Sequence, residues 1–335
     1  MSRRLACFLL AAVALVAGCG GGDDSKDPVE RVPAKGGVRD RVRAAQSPDP
    51  STFPAAEGKT LQQIGDGVGA QGPDLAMASS VFTTGKNRLA FGLIDQQGQF
   101  VYGPTAVYVA PTPDAPAKGP YVAPADVLLT EGRYRSKQAA TEQDPFSAVY
   151  AADVPFDKAG KYAVLAVTSS GGKQIVSTGA IEVLKPSQDQ IPEVGQDAPK
   201  VKTDTVADAK GDIGSIDTRT PPLPDMHEKS FDQLVGNQPV ALLFATPQLC
   251  QSRVCGPVTD LAAQLKAKYG DKMAFIHQEV YKGNDPNKGL REPLVRFHLQ
   301  TEPWLFVVDR NGKVTSRMEG SIGVNAFESA IQSGL

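Results

Sequence analysis

Two cysteines five residues apart, Cys250 and Cys255, are the side chains in this sequence best suited to chemistry. They lie in Phe244-Ala-Thr-Pro-Gln-Leu-Cys250-Gln-Ser-Arg-Val-Cys255-Gly-Pro-Val258, between an apolar run that reads as a strand and an amphipathic helical pattern. A strand that turns into a helix leaves the turn at the carboxyl end of a sheet, where helix-terminal N–H groups favour the thiolate. The thiolate is both nucleophile and metal ligand, so the pair could exchange disulfides, form a stabilising bridge or hold a soft ion. Geometry narrows the options. Residues five apart in one helix have Cα atoms roughly 8 to 9 Å apart, whereas a disulfide needs about 4.4 to 6.8 Å. A bridge therefore requires Cys250 in the loop and Cys255 at the helix start, and the helix dipole then makes Cys255 the expected low-pKa thiol. Closing so short a loop contributes only about 2 kcal/mol, a modest staple, which favours redox work over a purely structural bridge.

The elements that would position the pair follow in order. Val240 to Ala245 is a continuous apolar run, as in a strand buried on both faces. Val258, Leu261, Ala262, Leu265 and Tyr269 recur at helical spacing, with Pro257 suited to the first turn and Gly270 to the end. Met273 to Val280 reads as a second strand, Leu294 to Leu299 as a short helix and Trp304 to Val308 as a third strand. Asn311-Gly312 predicts a hairpin into Lys313 to Met318, and Asn325 is a candidate cap for a last helix that buries Phe327 and Ile331. The order β-α-β-α-β-β-α implies a mixed sheet with helices on both faces.

Phe244-Ala-Thr, Cys255-Gly256-Pro257 and Thr301-Glu302-Pro303 before a strand and an Asn-Gly hairpin resemble the thioredoxin superfamily, over residues from about 194 to 335. Val194-Gly-Gln-Asp-Ala-Pro199 is similar to the entry of peroxiredoxin-like and membrane-anchored thioredoxin-like domains. The resemblance implies a cis proline at Pro303 facing Cys250 and Cys255, with Glu302 and Trp304 beside the substrate segment, and thiol-disulfide oxidoreductase activity. The chain also departs from that family. The usual C-x-x-C is C-x-x-x-x-C, Leu249 replaces a tryptophan, and Leu243 stands where many members carry a buried acid. Glu302 would set a carboxylate near the thiols and raise their pKa. A second reading is similar to copper-delivering thioredoxin-fold chaperones, in which two cysteines and a distant histidine bind copper. Their spacing is not matched here, so His277, His298 and His227 read as structural or surface residues and no metal ligand is assigned. A third is a binding or scaffold module with a structural disulfide.

Around this unit the 335 residues leave room for a second domain. The net charge of −2 gives no reason to expect nucleic acid as a partner. Residues 1–18 read as a signal peptide: Arg3 and Arg4 precede an apolar stretch too short to span a bilayer comfortably. Val16-Ala17-Gly18-Cys19 resembles the bacterial lipobox, which implies lipidation of Cys19 and a cell-membrane anchor facing the periplasm or exterior. Cys7 would leave with the signal, so Cys250 and Cys255 remain, in a compartment where disulfides persist. Residues 19–65 are rich in Gly, Asp, Pro and Ala without an apolar period and read as a flexible tether. Residues 66–185 hold short β-rich runs punctuated by turn residues and no helix pattern, which predicts an all-β immunoglobulin-like sandwich. Pro111 to Pro120 reads as a surface loop, and the tyrosines as core. Residues 186–335 complete the chain as the α/β thioredoxin-like domain, with an N-terminal extension through Pro224. The expected partner is a thiol or disulfide protein.

Overall fold

The computed structural model describes residues 27–139 and 146–335. The signal segment and Cys19 lie outside the described residues.

The first unit is two sheets. Nine strands form them: β1 (Asp74–Met77), β2 (Phe82–Thr83), β3 (Gly85–Ile94), β4 (Thr105–Ala110), β5 (Lys118–Val122), β6 (Ala125–Val127), β7 (Ala148–Phe156), β8 (Gly160–Ser170) and β9 (Lys173–Leu184). The orders are β1-β3-β7-β6 and β2-β9-β8-β4-β5. All pairings are antiparallel except that of β2 with β9. Leu89, Phe91 and Leu93 of β3 share one apolar cluster with Val107 and Val109 of β4 and with Val164 and Ala166 of β8. These residues alternate along their strands, so the pleat aims each set inward. Tyr102, Tyr108 and Tyr150 are buried, as the strand pattern suggests. The Tyr102 hydroxyl, for example, accepts from Ser147 N at 2.8 Å. The stretch read as a loop ends in β5, an edge strand that tolerates Pro120 because an edge residue has no ladder partner on one side.

The opposite face of β4 and β8 is covered too, and the cover comes from the stretch read as a tether. Phe53, Ala56, Leu61 and Ile64 cluster with Ala106, Tyr108, Ala110, Leu165 and Val167. Helix α2 (Leu61–Val68) starts at a capping box in which Thr60 accepts from Gln63 N and Gln63 accepts from Thr60 N. Upstream, α1 (Val38–Ala45) and the turn before it bury Val29, Val32, Val42 and Ala45 completely. Over residues 27–65 the expectation of a tether is therefore overturned. Its apolar residues lack a period, yet Val29, Val32, Val42, Ala45, Phe53, Ala56, Leu61 and Ile64 are all buried.

The second unit is one sheet of order β11-β10-β12-β13: β10 (Val240–Phe244), β11 (Ala274–Gln278), β12 (Trp304–Val308) and β13 (Val314–Glu319). Strand β10 pairs parallel with β11 and antiparallel with β12. It is buried along its whole length. One face packs Leu243, Leu305 and Val307 against α5 (Cys255–Tyr269) and α7 (Val324–Gly334). The other packs Leu242, Phe244 and Phe306 with Phe231 of α4 (Phe231–Leu234) and Phe297 just after α6 (Glu292–Arg296). Residues 186–239 wrap this unit in turns that include α3 (Val206–Ala209). A mixed four-stranded sheet with a cysteine pair at the end of its central strand has the thioredoxin-like arrangement.

The two units share one apolar cluster and are tied by buried polar groups. Asp126 of β6 accepts from Asn325 N and Ala326 N at 3.0 and 2.8 Å, so it caps α7 in place of Asn325, whose own side chain makes no cap. Glu319 of β13 accepts from Ser80 N, Val81 N and the Ser80 hydroxyl. Asp260 of α5 accepts from Ser136 N and Oγ, and from Arg219 Nε at 2.8 Å.

Candidate thiol site

Strand β10 ends at Phe244, and the chain turns at once: Leu249 N and Cys250 N both donate to Thr246 O. The turn continues through Arg253, whose φ of 60° is left-handed, to Val254 and the first residue of α5, Cys255. Cys250 thus sits in the loop and Cys255 at the helix start, the arrangement that the spacing requires for a bridge. Both are free thiols. Cys250 is partly exposed and Cys255 is fully buried.

The electrostatics reverse the sequence expectation for the reactive thiol. Cys250 is lowered to about 6: the Cys255 thiol donates to its sulfur, the Ser252 hydroxyl lies at 3.2 Å, and the Cys255 and Val254 amides add their hydrogen bonds. These donors outweigh the partial desolvation of the sulfur. Cys255 is pushed well above the ordinary thiol range by its burial, by serving as donor to Cys250, and by the charges of Cys250 and Glu302. The helix N-terminus therefore acts on the loop cysteine. Its first amides point outward along the axis at Cys250, while the first helical residue points its own side chain into the core.

The Glu302–Pro303 bond is cis and leads into β12. Glu302 is raised above the usual carboxylate range, by desolvation first and then by the negative charge on Cys250, despite a 3.4 Å hydrogen bond from the Tyr281 hydroxyl. Glu302 and the thiols are thus electrostatically coupled, and Pro303 follows Glu302 in the chain. Trp304 does not join them. The indole is 2% exposed, donates to Thr301 Oγ1 at 3.0 Å and stacks on Phe306, so it braces the loop and offers a substrate no surface. Ser252, Val254, Thr301 and Glu302 line one wall of a cleft of about 380 Å³, and Ala76 to Ser80 with Phe100 and Phe146 of the first unit line the other.

Replacing the charge beside the pair tests its coupling. Glu302→Gln should lower the Cys255 pKa by removing a negative charge beside it, and by stabilising thiolate it should make the pair more oxidising. Equilibration with glutathione measures this, and an unchanged potential would show the carboxylate uncoupled from the thiols.

His277 lies on β11, His298 just after α6 and His227 ahead of β10, as the sequence reading has them. Among the described residues the side chains close enough to share an ion are Asp217, His227 and His277, all buried; neither cysteine is among them. The cysteine-histidine set of a copper chaperone is therefore not assembled there. His298 has a left-handed backbone of φ 57° at the end of the α6 segment. Sequence reasoning missed Asp217, which sits in an irregular stretch. The available signal was that all three histidines belong to one fold unit.

No family model and no curated protein matches this chain. Solved structures do. One is described as a thiol:disulfide interchange protein DsbE from Chlorobium tepidum, 17% identical, covering 43% of this chain and 98% of that one, with a TM-score of 0.31. Another is a thioredoxin-like superfamily protein, 12% identical, covering 32% of this chain and 85% of that one, with a TM-score of 0.27. At such scores the assignment of fold rests on this chain's own strand order, register and loop geometry.

Proposed function

We propose that this protein is a membrane-anchored extracytoplasmic thiol-disulfide exchange protein, lipidated at Cys19, with Cys250 as attacking thiol and Cys255 as resolving thiol. The observation that carries the reading is the asymmetry of the pair: a partly exposed sulfur held at about 6 beside a buried one held high. The thiolate is the nucleophile, so only Cys250 is both accessible and ionised near neutral pH.

In the reducing direction the Cys250 thiolate attacks one sulfur of a partner disulfide. That S–S bond breaks, the second partner sulfur leaves as a thiolate, and a mixed disulfide forms at Cys250. Cys255 then loses its proton and attacks the Cys250 sulfur. The partner leaves with both sulfurs reduced, and the chain holds the two-electron-oxidised Cys250–Cys255 bridge. The low pKa of Cys250 makes it a good leaving group when a reductant later opens that bridge. Glu302 is placed to accept the Cys255 proton, since its raised pKa brings it nearer that task. The cleft beside it is open enough to admit an extended partner segment. Among the described residues no helix is long and apolar enough to cross a membrane, so anchoring in this reading depends on the lipid. The sandwich then carries the thiol unit outside the cytoplasm.

Trapping is the direct test. Cys255→Ser should accumulate mixed disulfides through Cys250, visible as reductant-sensitive adducts, while Cys250→Ser should trap none. A wild-type bridge that reduces only after unfolding would sink the proposal, and the scaffold reading would replace it.

A further inference from the structure

Beneath the thiol loop lies a buried polar cluster that the exchange chemistry does not use. Asp217 comes from the wrapping segment, His227 from the turn before α4, and His277 from the middle of β11. All three side chains are inaccessible to solvent. Their ligand atoms lie within 4.8 Å of one another.

The hydrogen bonds around the cluster fix a proton on one nitrogen of each ring. His277 Nε2 is 3.0 Å from Ala245 O, and His227 Nδ1 is 3.4 Å from Asp204 O. A carbonyl oxygen only accepts, so these nitrogens carry the protons. The other nitrogen of each ring, when it carries no proton, presents a lone pair. His277 Nδ1 faces Asp217 Oδ1, and His227 Nε2 faces Asp217 Oδ2, both at 3.5 Å. Neither nitrogen has a hydrogen-bond partner. Asp217 is itself pinned by Arg219 N at 2.9 Å and Leu223 N at 2.7 Å.

Two lone pairs aimed at a carboxylate in a dry site repel it, so a positive charge, on a bound ion or on the rings themselves, belongs between them. The separations are also telling. At 3.5 Å they exceed the ordinary range for a charged hydrogen bond, about 2.7 to 3.2 Å. Each runs to a different carboxylate oxygen and lies near the edge of a tetrahedron with arms of about 2.0 to 2.1 Å, which is about 3.3 Å; the full set lies within 4.8 Å, so the side chains would close in on an ion. Backbone carbonyls holding the far nitrogen of each ring are the usual outer support of a ligating imidazole.

We propose that Asp217, His227 and His277 bind a single divalent first-row ion, with zinc best suited to two imidazoles and a carboxylate in a closed site. The ion would clamp the wrapping segment to β11. Because His277 also holds Ala245, one residue before the turn that carries the thiols, the clamp would support the thiol loop from below. The metal site is independent of the exchange reading.

The test uses the full chain. Purified protein, analysed by mass spectrometry for metals, is expected to hold about one zinc, and a strong chelator should remove it with a fall in thermal midpoint that added zinc restores. Asp217→Asn, close in shape to the wild type, should cut the zinc content at least tenfold, and so should His277→Gln. Cobalt loaded in its place should give a visible spectrum without thiolate charge transfer, unchanged in the Cys250→Ser, Cys255→Ser double variant. Zinc lost in that double variant, or a metal-free chain that neither takes up zinc nor gains stability from it, would overturn the proposal and leave a cluster held together by protons. Should the variants not fold, removal and return of zinc in the wild type is sufficient to decide between the two.

Discussion

Alkylation of Cys250 in the reduced chain is expected to rise with pH through a midpoint of about 6 and to level off just above neutrality. The sign follows from the thiolate being the reacting species: below the midpoint the sulfur holds its proton, and one unit above it about nine tenths has ionised. Cys255 should stay silent over the same range, since its pKa is raised well beyond the ordinary thiol value and its side chain is buried. Quantified iodoacetamide labelling by peptide mass spectrometry separates the two sites. Removing the donor tests the cause. Cys255→Ala takes away the largest influence on Cys250 and should move its midpoint upward, whereas Cys255→Ser retains a donor and should move it less. A common midpoint near that of free cysteine for both thiols would show that loop and helix do not act as inferred, and Cys250 would lose its claim to the first step.

Asp260→Ala should be the most damaging substitution away from the thiols. Arg219 and Asp260 are both almost wholly buried, and the guanidinium donates to Asp260, to Pro221 O and to Tyr134 O. Removing the carboxylate strands a buried cation and also releases Ser136, at a cost of about 3 to 5 kcal/mol. For a chain of this length that corresponds to a fall of roughly 10 °C in the thermal midpoint. Replacing both partners by apolar residues, as in Arg219→Met with Asp260→Leu, should recover much of the loss, because the penalty belongs to the unpaired charge. Equal destabilisation by the single and double changes would show instead that the hydrogen bonds to Tyr134 and Ser136 carry the effect.

The thiol loop was legible because its signals are local. The apolar run of β10, the helical spacing from Val258 to Tyr269 and the distance between the cysteines together place Cys250 outside the helix and Cys255 on it. The identity of the reactive sulfur was not legible, because it depends on which way the first helical side chain points. Cys255 turns inward, and the loop of residues 136–138 lies so close to the helix start that a Cβ on Gly256 would be 2.1 Å from Gln138 O. No spacing rule contains that contact. The cover on the first unit left a trace that composition hid: Thr105–Ala110 is apolar at nearly every position, the pattern of a strand buried on both faces, so something had to lie over its second face. The Asp217 cluster left almost none, since its members are ten and sixty residues apart in irregular and regular structure alike.

The Asp126 cap has a consequence for how the chain comes off the ribosome. The acceptor for the first amides of α7 is made some 200 residues before the helix that needs it. A last helix emerging on its own would begin with bare N–H groups at Asn325 and Ala326 and with a glycine, Gly323, at its cap position. By the time it is synthesised, β6 has long been available. Docking of α7 thus relies on a strand made well before it, and the first unit serves the second as a template.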